Sequence, residues 1–352
     1  MKTAVVFTPK YLKHDPGPDH PESPNRLKVI IEELERSGLL DSGKCVLIEP
    51  KPASLKDIEL IHEPEYVELV QRTCATGGGL LDLGDTVVTP ESCEVAFLAV
   101  GGILKAVNLV ATRKFDNAFA LVRPPGHHAG PYYALGFCIF NNVAIAAAHL
   151  LRRLNFSRVL ILDIDAHHGN GTQEIFYDTS NVLYVSLHQD PRGFPGTGFM
   201  DEIGESEGLG YTVNVPFPLR IDNQLYHEAF DQIVVPIAQQ YKPQFILVSA
   251  GFDGHYMDPV GGLSLSTNGY VEAFSKILNL TSQLCEGKLV VALEGGYSLN
   301  YLGKMATAAI AKMADVSYTV QDNNPTAHPK TRRKAEQTIS EVKRIQSTFW
   351  KL

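Results

Sequence analysis

The sequence has little cysteine, no long apolar run and no excess of basic charge, and each absence excludes a class of protein. The five cysteines are scattered, odd in number and include no CxxC pair, which argues against both a disulfide framework and a thiolate zinc site. A net charge of -8 argues against the broad basic surface that nucleic-acid binding requires. Apolar runs shorter than the roughly twenty residues that cross a bilayer, and the lack of a signal-peptide pattern, predict a cytoplasmic protein with no direct contact to membranes.

Short β-branched runs alternate with longer helical patterns along the chain. The runs lie at residues 3–7, 117–122, 158–165, 181–187, 244–250 and 288–293. Helical patterns lie near residues 24–37, 91–112, 140–153, 224–240, 267–285 and 300–313. Because uniformly apolar strands belong in a parallel sheet covered on both faces, the alternation predicts a doubly wound α/β fold with a mostly parallel sheet flanked by helices.

No internal repeat or low-complexity linker interrupts residues 1–315, so we expect a single domain over residues 1–352. The segment 321–334 has the composition of an exposed connection. Apolar residues then recur at helical spacing, which predicts a C-terminal helix over 335–350 that packs back onto the domain.

Polar residues gather at the ends of four predicted strands. The segment "LDIDAHHGNG" (162–171) follows an apolar run, and three other strands lead to His127-His128, to Asp253 and to Tyr297. Open parallel sheets bind ligands outside the carboxyl ends of their strands, so we expect these side chains on one rim. Buried ionised carboxylates cost several kcal/mol without a partner, so the rim needs a cation, a hydrogen-bond network, or both.

Asp165, His167 and Asp253 form a candidate metal site. A strand periodicity of two puts Asp163, Asp165 and His167 on one face, and Asp253 can join them from a neighbouring strand. Two carboxylates and one imidazole leave a coordination position open, as in catalytic zinc sites, although the same ligands suit Fe²⁺, Co²⁺ or Mn²⁺. The structural alternative is an aspartate that caps the next helix, with histidines bonded to backbone carbonyls.

Three further motifs offer catalytic and binding groups. The tandem histidines of "RPPGHHAG" suit proton transfer near neutral pH, and Tyr297 in "EGGYS" could donate to a developing oxyanion. Phe137 and Phe194 each lie beside glycines, as the walls of a narrow apolar channel do. Taken singly, each motif also fits a rigid turn or a packed loop.

Together these motifs resemble the metal-dependent histone deacetylase family, within the arginase/deacetylase superfamily. "RPPGHH", "GFCIFNN", "DIDAHHGNGTQ", "SLHQDPRGFPGTG", "SAGFD" and "LEGGY" occur in that family's order, and the match extends from "DHPESPNR" (19–26) to "LEGGYS". The resemblance implies an arginase/deacetylase-like fold. It also implies hydrolysis of acetyl-lysine in proteins or peptides to free amine and acetate, with one Zn²⁺ per chain.

The resemblance also implies roles for individual residues. His128 is then the general base and acid, His127 tunes the local field with Asp163 as its partner, and Tyr297 polarises the acyl carbonyl. Asn170 stands where part of the family has an aspartate, which makes the chain closer to class II. An amide orients the His128 imidazole without adding a charge, which should leave the pKa of that imidazole lower.

The remaining residues that the resemblance singles out hold metal ions or line the substrate channel. The zinc ligands are Asp165, His167 and Asp253. A structural K⁺ site is formed by Asp163, Asp165, His167, Ser186 and Leu187. The acyl-lysine channel is lined by Gly136, Phe137, Phe194, Val260 and Asp85, and Arg26 lies near an internal cavity below the zinc.

Several alternatives stay open. Val260 replaces the gatekeeper glutamate of polyamine-specific relatives, which weakens a role on small acetylated amines without eliminating it, and longer acyl groups also fit. Asp85 could clamp a substrate amide, cap a helix or lie free in a loop. A two-manganese ureohydrolase would need further carboxylates beside Asp165, and a non-catalytic scaffold would not need every catalytic group to be present. The sequence does not indicate the oligomeric state.

Overall fold

The computed structural model describes all 352 residues as a β-sheet flanked by helices. The strands are β1 (Thr3–Val6), β2 (Cys45–Ile48), β3 (Gly79–Leu80), β4 (Val87–Val88), β5 (Asn117–Ala120), β6 (Val159–Asp163), β7 (Val182–Gln189), β8 (Thr212–Phe217), β9 (Phe245–Ala250) and β10 (Leu289–Leu293). The helices are α1 (Asn25–Arg36), α2 (Leu55–Ile58), α3 (Pro64–Ala75), α4 (Ser92–Ala111), α5 (Asn142–Arg152), α6 (Asn170–Ile175), α7 (Asn223–Ala229), α8 (Val235–Tyr241), α9 (Thr267–Cys285), α10 (Leu299–Ala314) and α11 (Pro329–Gln346).

Eight strands form one sheet in the order β2-β1-β5-β10-β9-β6-β7-β8, and every neighbouring pair in it is parallel. The predicted doubly wound α/β fold is therefore confirmed. The two strands that the apolar pattern missed, β2 and β8, are those at the edges of the sheet. β2 is a run of only four apolar residues, and most of them are partly exposed, as at the edge of a sheet. β8 is interrupted by Asn214 and Pro216, and a proline is tolerated in an edge strand but not in a central one.

The order of the strands brings the polar motifs together. β5, β10, β9 and β6 are consecutive in the sheet, and their carboxyl ends lead to the tandem histidines, Tyr297, Asp253 and "DIDAHHGNG" respectively. Because these strands are parallel, the four segments emerge at the same edge of the sheet.

The periodicity argument for the segment after β6 was wrong in one respect. β6 ends at Asp163, so Asp165 and His167 lie in the following turn and not on the strand. Asp163 Oδ1 accepts a hydrogen bond from the Asp165 amide at 3.1 Å, which shows how tightly the chain turns there. The two residues face the candidate metal site because of this turn and not because of strand alternation.

The C-terminal helix begins earlier than the sequence pattern predicts. α11 starts at Pro329, so residues 329–334 are helical and not part of an exposed connection. Proline is favoured in the first turn, where its missing N–H needs no partner, and the His328 side chain accepts a hydrogen bond from the Lys330 amide. The helix packs against β8 and buries Ala335, Ile339 and Val342 in the main hydrophobic core.

One helix, α4, is long and apolar enough to cross a membrane by length and composition alone. Of its 18-residue window, 72% is buried inside the protein, as in the core helix of a soluble protein. Its glycines explain how closely it is packed. A Cβ on Gly101 would lie 1.8 Å from the carbonyl oxygen of Lys51, so a larger residue would push the helix away from its neighbours.

Candidate active site

A cavity of about 370 Å³ opens at the carboxyl edge of the sheet, where the four polar segments meet. All five residues predicted to form the substrate channel line it, together with both tandem histidines, Tyr297 and two of the predicted metal ligands. Gln189 and Gly193, which sequence reasoning did not single out, complete its wall. Its lining is Asp85, His127, His128, Gly136, Phe137, Asp165, His167, Gln189, Gly193, Phe194, Val260 and Tyr297.

Asp165, His167 and Asp253 converge at the base of this cavity. One ligand atom from each lies within 4.8 Å of the other two, and all three residues are buried. His167 Nδ1 lies 2.7 Å from Asp253 Oδ2 and 3.4 Å from Asp165 Oδ1. The outer oxygens are held in place: Asp165 Oδ2 accepts from the Gly295 amide at 2.8 Å, and Asp253 Oδ1 accepts from the Ala166 amide at 2.9 Å. One nitrogen and two oxygens thus share one point, a donor set that fits a catalytic zinc site.

The charges at this point are strongly coupled. Burial, and then the charge of Asp165, raises the pKa of Asp253 to about 7. Burial opposes protonation of His167, but its contacts with the two carboxylates raise the pKa of its imidazole to about 10. Two buried carboxylates that need a positive partner are the setting in which a divalent cation is stabilised.

The tandem histidines have different partners and therefore different properties. His127 Nδ1 lies 3.1 Å from Asp163 Oδ2, whereas His128 Nδ1 lies 2.8 Å from the amide oxygen of Asn170. Burial opposes the charged form of His127, but Asp163 and then Asp165 raise the pKa of its imidazole to about 10. Burial, and then the charge of His127, lowers the pKa of His128 well below its usual value. His128 is therefore neutral and able to accept a proton.

Tyr297 is fixed by contacts on its backbone and on its ring. The Asp258 carboxylate accepts hydrogen bonds from the amides of Tyr297 at 2.7 Å and of Ser298 at 3.0 Å. The guanidinium carbon of Arg26 lies 4.9 Å from the centre of the tyrosine ring, and Phe137 packs edge-on at 5.8 Å. Sequence reasoning missed Asp258, whose only signal is its place two residues before Val260.

The aromatic walls of the cavity depend on one glycine. Phe194 packs edge-on against His128 with 4.9 Å between ring centres. Gly136 adopts a φ of +55°, and a Cβ there would lie 2.6 Å from His128 Cδ2 and 2.9 Å from Phe194 Cζ. The next residue, Phe137, is held by a 3.1 Å hydrogen bond from its amide to the Thr86 hydroxyl, a contact that the sequence does not indicate.

Asp85 and Val260 stand at the mouth of the cavity. Helix α4 begins at Ser92 with Glu91 as its N-cap residue, so Asp85 is not the helix cap that the sequence left open. Burial, and then the charge of Asp82, raises the pKa of the Asp85 carboxyl. Val260 is 38% exposed and gives this side of the mouth an apolar surface.

A buried ionic network supports the loop that carries Tyr297. Arg123 donates to both carboxylate oxygens of Glu22, at 2.5 and 2.9 Å, and Arg26 donates to the same carboxylate at 3.0 Å. Arg26 also donates to the carbonyls of Glu294 and Gly296. Glu22 and Arg123 both lie within motifs that the sequence showed, but nothing in their spacing of 101 residues indicated that they pair.

A second group of potential metal ligands is His127, Cys138 and Glu294. Both carboxylate oxygens of Glu294 already have donors: the amides of Gly126 and His127 bind one, and the Ser249 hydroxyl binds the other at 3.1 Å. Glu294 therefore anchors the tandem-histidine loop, and it does not supply the additional carboxylates that a two-manganese site requires.

The residues predicted to bind K⁺ lie on β6, on β7 and in the turn that follows β6. Asp163 is paired with Ser186 in the β6–β7 register, and Leu187 follows Ser186 in β7. The carbonyl oxygens of Asp165 and His167 accept no hydrogen bond from the protein, although both residues are buried. Unpartnered buried carbonyls suit a weakly hydrated cation. The chemical roles of these and the other site residues stay predictions.

Comparison with known proteins gives a consistent result. The histone deacetylase domain model matches residues 20–313. The chain is 41% identical to a protein of Archaeoglobus fulgidus named "Probable deacetylase", in an alignment that covers 100% of this chain and 99% of that protein. It is 38% identical to histone deacetylase 15 of Arabidopsis thaliana, covering 99% of this chain and 62% of the plant protein. The crystal structure of the HDA15 HD domain is similar over 99% of this chain and 95% of that one, with a TM-score of 0.89 and 37% identity.

Proposed function

Because this chain belongs to the histone deacetylase family and is therefore a deacetylase, we propose that it hydrolyses the acetamide of acetyl-lysine in proteins or peptides, with one Zn²⁺ per chain. The observation that carries the proposal is the cavity of about 370 Å³, walled by Phe137 and Phe194, that ends at Asp165, His167 and Asp253. Aromatic walls suit the apolar stem of a lysine side chain, and the polar base suits the amide at its tip.

Asp165, His167 and Asp253 would hold the zinc ion through two carboxylate oxygens and one imidazole nitrogen. When bound, zinc supplies Lewis acidity, which lowers the pKa of a water molecule toward 7 and polarises the acetyl carbonyl. Fe²⁺ and Co²⁺ suit the same donors, so the native metal is part of the test.

The chain's own residues then move protons and stabilise charge. His128, neutral because its pKa is lowered, accepts a proton from the attacking water and returns it to the leaving amine nitrogen. Tyr297 donates a hydrogen bond to the acyl oxygen as the carbonyl carbon becomes tetrahedral and negative charge develops. The products are the free amine and acetate.

His127 supports this chemistry without taking part in proton transfer. Its contact with Asp163 keeps its imidazole protonated, and this positive charge beside His128 helps to keep His128 neutral. We further propose that the carbonyl oxygens of Asp165 and His167, with Asp163, Ser186 and Leu187, hold a structural K⁺ ion that fixes the turn after β6.

Small acetylated amines are the second candidate substrates. Val260 offers no charge to a second ammonium group, but Asp85 lines the same cavity and could pair with one. Comparing an acetyl-lysine peptide with an acetylpolyamine therefore separates these substrates. A cytoplasmic location stays a prediction.

The decisive experiment combines metal analysis with a fluorogenic acetyl-lysine peptide, an acetylpolyamine and a hydroxamate chelator. We expect one Zn²⁺ per chain and peptide turnover that the hydroxamate abolishes. If the zinc-bound protein hydrolyses only the acetylpolyamine, small acetylated amines would replace acetyl-lysine as the proposed substrates. If it hydrolyses neither substrate, longer acyl groups become the substrates to test. Zinc-free protein would contradict the proposed role of Asp165, His167 and Asp253.

A further inference from the structure

A chain of hydrogen bonds leads from the protein surface to His128. His128 Nδ1 lies 2.8 Å from Asn170 Oδ1, and the Asn170 amide nitrogen lies 3.1 Å from the Tyr133 hydroxyl. That hydroxyl lies 2.5 Å from Glu174 Oε2. Neither Tyr133 nor Glu174 lines the substrate cavity; both line a neighbouring cleft of about 610 Å³ that also reaches Asn170. This series of hydrogen bonds therefore reaches His128 from the side away from the substrate cavity.

The carboxylate of Glu174 sets the direction of these hydrogen bonds. A carboxylate only accepts, so the Tyr133 hydroxyl must donate its single proton to Glu174. The hydroxyl can then only accept from Asn170, which must turn its NH₂ group toward Tyr133 and its oxygen toward His128. A 3.3 Å hydrogen bond from the same NH₂ group to the His128 carbonyl favours the same orientation.

This orientation determines which nitrogen of His128 carries hydrogen. An amide oxygen opposite Nδ1 requires a donor there, so His128 holds its hydrogen on Nδ1 and leaves the lone pair of Nε2 free. A base that acts on the substrate side needs that lone pair.

The position of Tyr133 is itself fixed by the fold. Its ring lies against Gly130, where a Cβ would come within 2.3 Å of Tyr133 Cε1, so the ring needs a glycine at that place. The Gly130 amide also donates to the Tyr133 carbonyl at 3.0 Å, which closes a tight turn after the tandem histidines. Burial, and then the bond to Glu174, raises the pKa of Tyr133 and keeps its hydroxyl a donor.

We propose that Tyr133 and Glu174 are positioning residues that act through Asn170 to hold His128 as the Nδ1-protonated tautomer. The inference rests on the proposed function, in which His128 is the base. It assigns a purpose to the cleft beside the tandem histidines. The Glu174 carboxylate, which orients these hydrogen bonds, lies at the end of the series farthest from His128, where it does not raise the basicity of His128 by direct contact.

Tyr133→Phe is the direct test, because it removes the hydroxyl and keeps the ring. We expect kcat for the acetyl-lysine peptide to fall about tenfold with KM unchanged, as for one lost hydrogen bond. In Glu174→Gln the amide oxygen still accepts from Tyr133, so that variant should retain more activity than Glu174→Ala. Tyr177→Phe is the matched control: Tyr177 lines the same cleft without a hydrogen bond to Asn170, and we expect no change.

Epistasis separates positioning from a general loss of structure. Hydroxamate titration counts the active sites that can bind a ligand, so that kcat can be expressed per active site. On this scale Tyr133→Phe should not lower kcat further in an Asn170→Ala background, because the hydrogen bonds from Tyr133 to His128 are already broken there. An equal fold-loss in both backgrounds would overturn the proposal, because Tyr133 would then act independently of Asn170. Wild-type kcat in Tyr133→Phe would overturn it as well.

The tautomer can be measured without turnover. The ¹⁵N chemical shifts of the His128 ring should show hydrogen on Nδ1 in the wild type and a mixture of tautomers in Tyr133→Phe. Hydrogen on Nε2 in the wild type, or an unchanged tautomer in the variant, would refute the chain of hydrogen bonds. Absence of peptide turnover by the wild type would instead refute the proposed function, and the ring shifts would still decide the present inference.

Discussion

The substitution Gly136→Ala should disable the active site although it adds only one carbon atom. The new Cβ would lie 2.6 Å from His128 Cδ2, whereas carbon atoms in favourable contact are about 3.5 to 4.0 Å apart. The imidazole must therefore move by about 1 Å, and Phe194, whose Cζ is 2.9 Å from the same point, blocks the other side. Misplacement of a catalytic group by about 1 Å can cost on the order of a hundredfold in rate, which corresponds to about 2.7 kcal/mol.

The backbone adds a second cost, because the φ of +55° at Gly136 is unfavourable for alanine by about 1–2 kcal/mol. We expect kcat/KM for the acetyl-lysine peptide to fall at least a hundredfold and the thermal midpoint to fall by a few degrees.

Gly193→Ala is the matched control. Gly193 lines the same cavity, but a Cβ there meets no atom within 4 Å, so activity should stay within about twofold. If Gly136→Ala retained wild-type kcat/KM, the geometry assigned to His128 would be wrong.

Tyr297→Phe should lower kcat by on the order of a hundredfold with an unchanged thermal midpoint, because it removes only the donor to the acyl oxygen; unaltered kcat would remove Tyr297 from the mechanism. Asp258→Ala should lower kcat/KM about tenfold by releasing the Tyr297 amide, while Asp258→Asn keeps an acceptor and should recover most of the activity; equal losses in both variants would argue against this account. Burial disfavours the charged form of Glu22, but Arg123 and its other partners hold the pKa of that carboxyl well below 4.5. The ionised Glu22 carboxylate therefore stabilises the folded state fully above about pH 4.5, and this contribution is lost as the pH falls through the lower pKa that Glu22 has in the folded state. The thermal midpoint should therefore drop on acidification below pH 4.5. Glu22→Gln should be less stable by about 3–5 kcal/mol at pH 7 and show a weaker acid dependence, which thermal melts from pH 3 to 7 would reveal; an equally steep dependence in the variant would assign the effect to other groups.

The local pattern of the sequence was sufficient for the central sheet and for the positions of several candidate site residues. Six of the eight strands of the sheet were predicted because central parallel strands are buried on both faces and read as continuous apolar runs. Asp165 and His167 follow β6 directly, and Tyr297 follows β10 after a short turn. A side chain that close to a strand end has little choice of position, so its place on the rim follows from the chain alone.

Contacts between distant segments were not predictable in this way. Tyr133 and Glu174 are 41 residues apart, and Asp258 and Tyr297 are 39 apart. Glu174 lies on α6, but the other three residues lie in loops whose paths no periodicity describes. The same holds for the start of α11, where Pro329 and His328 end the connection earlier than the apolar spacing suggests.

The sequence by itself determined the order of the elements, the edge of the sheet at which the polar groups gather and the types of side chain found there. Only the tertiary structure decided which groups touch. Strand and helix patterns indicate the element and face on which a residue lies, which locates its side chain only to within several ångströms. A hydrogen bond forms only when its heavy atoms lie about 2.7–3.2 Å apart. That precision arises when distant segments pack together, as they do where Tyr133 meets Glu174 and Asn170 of α6 and thereby orients His128.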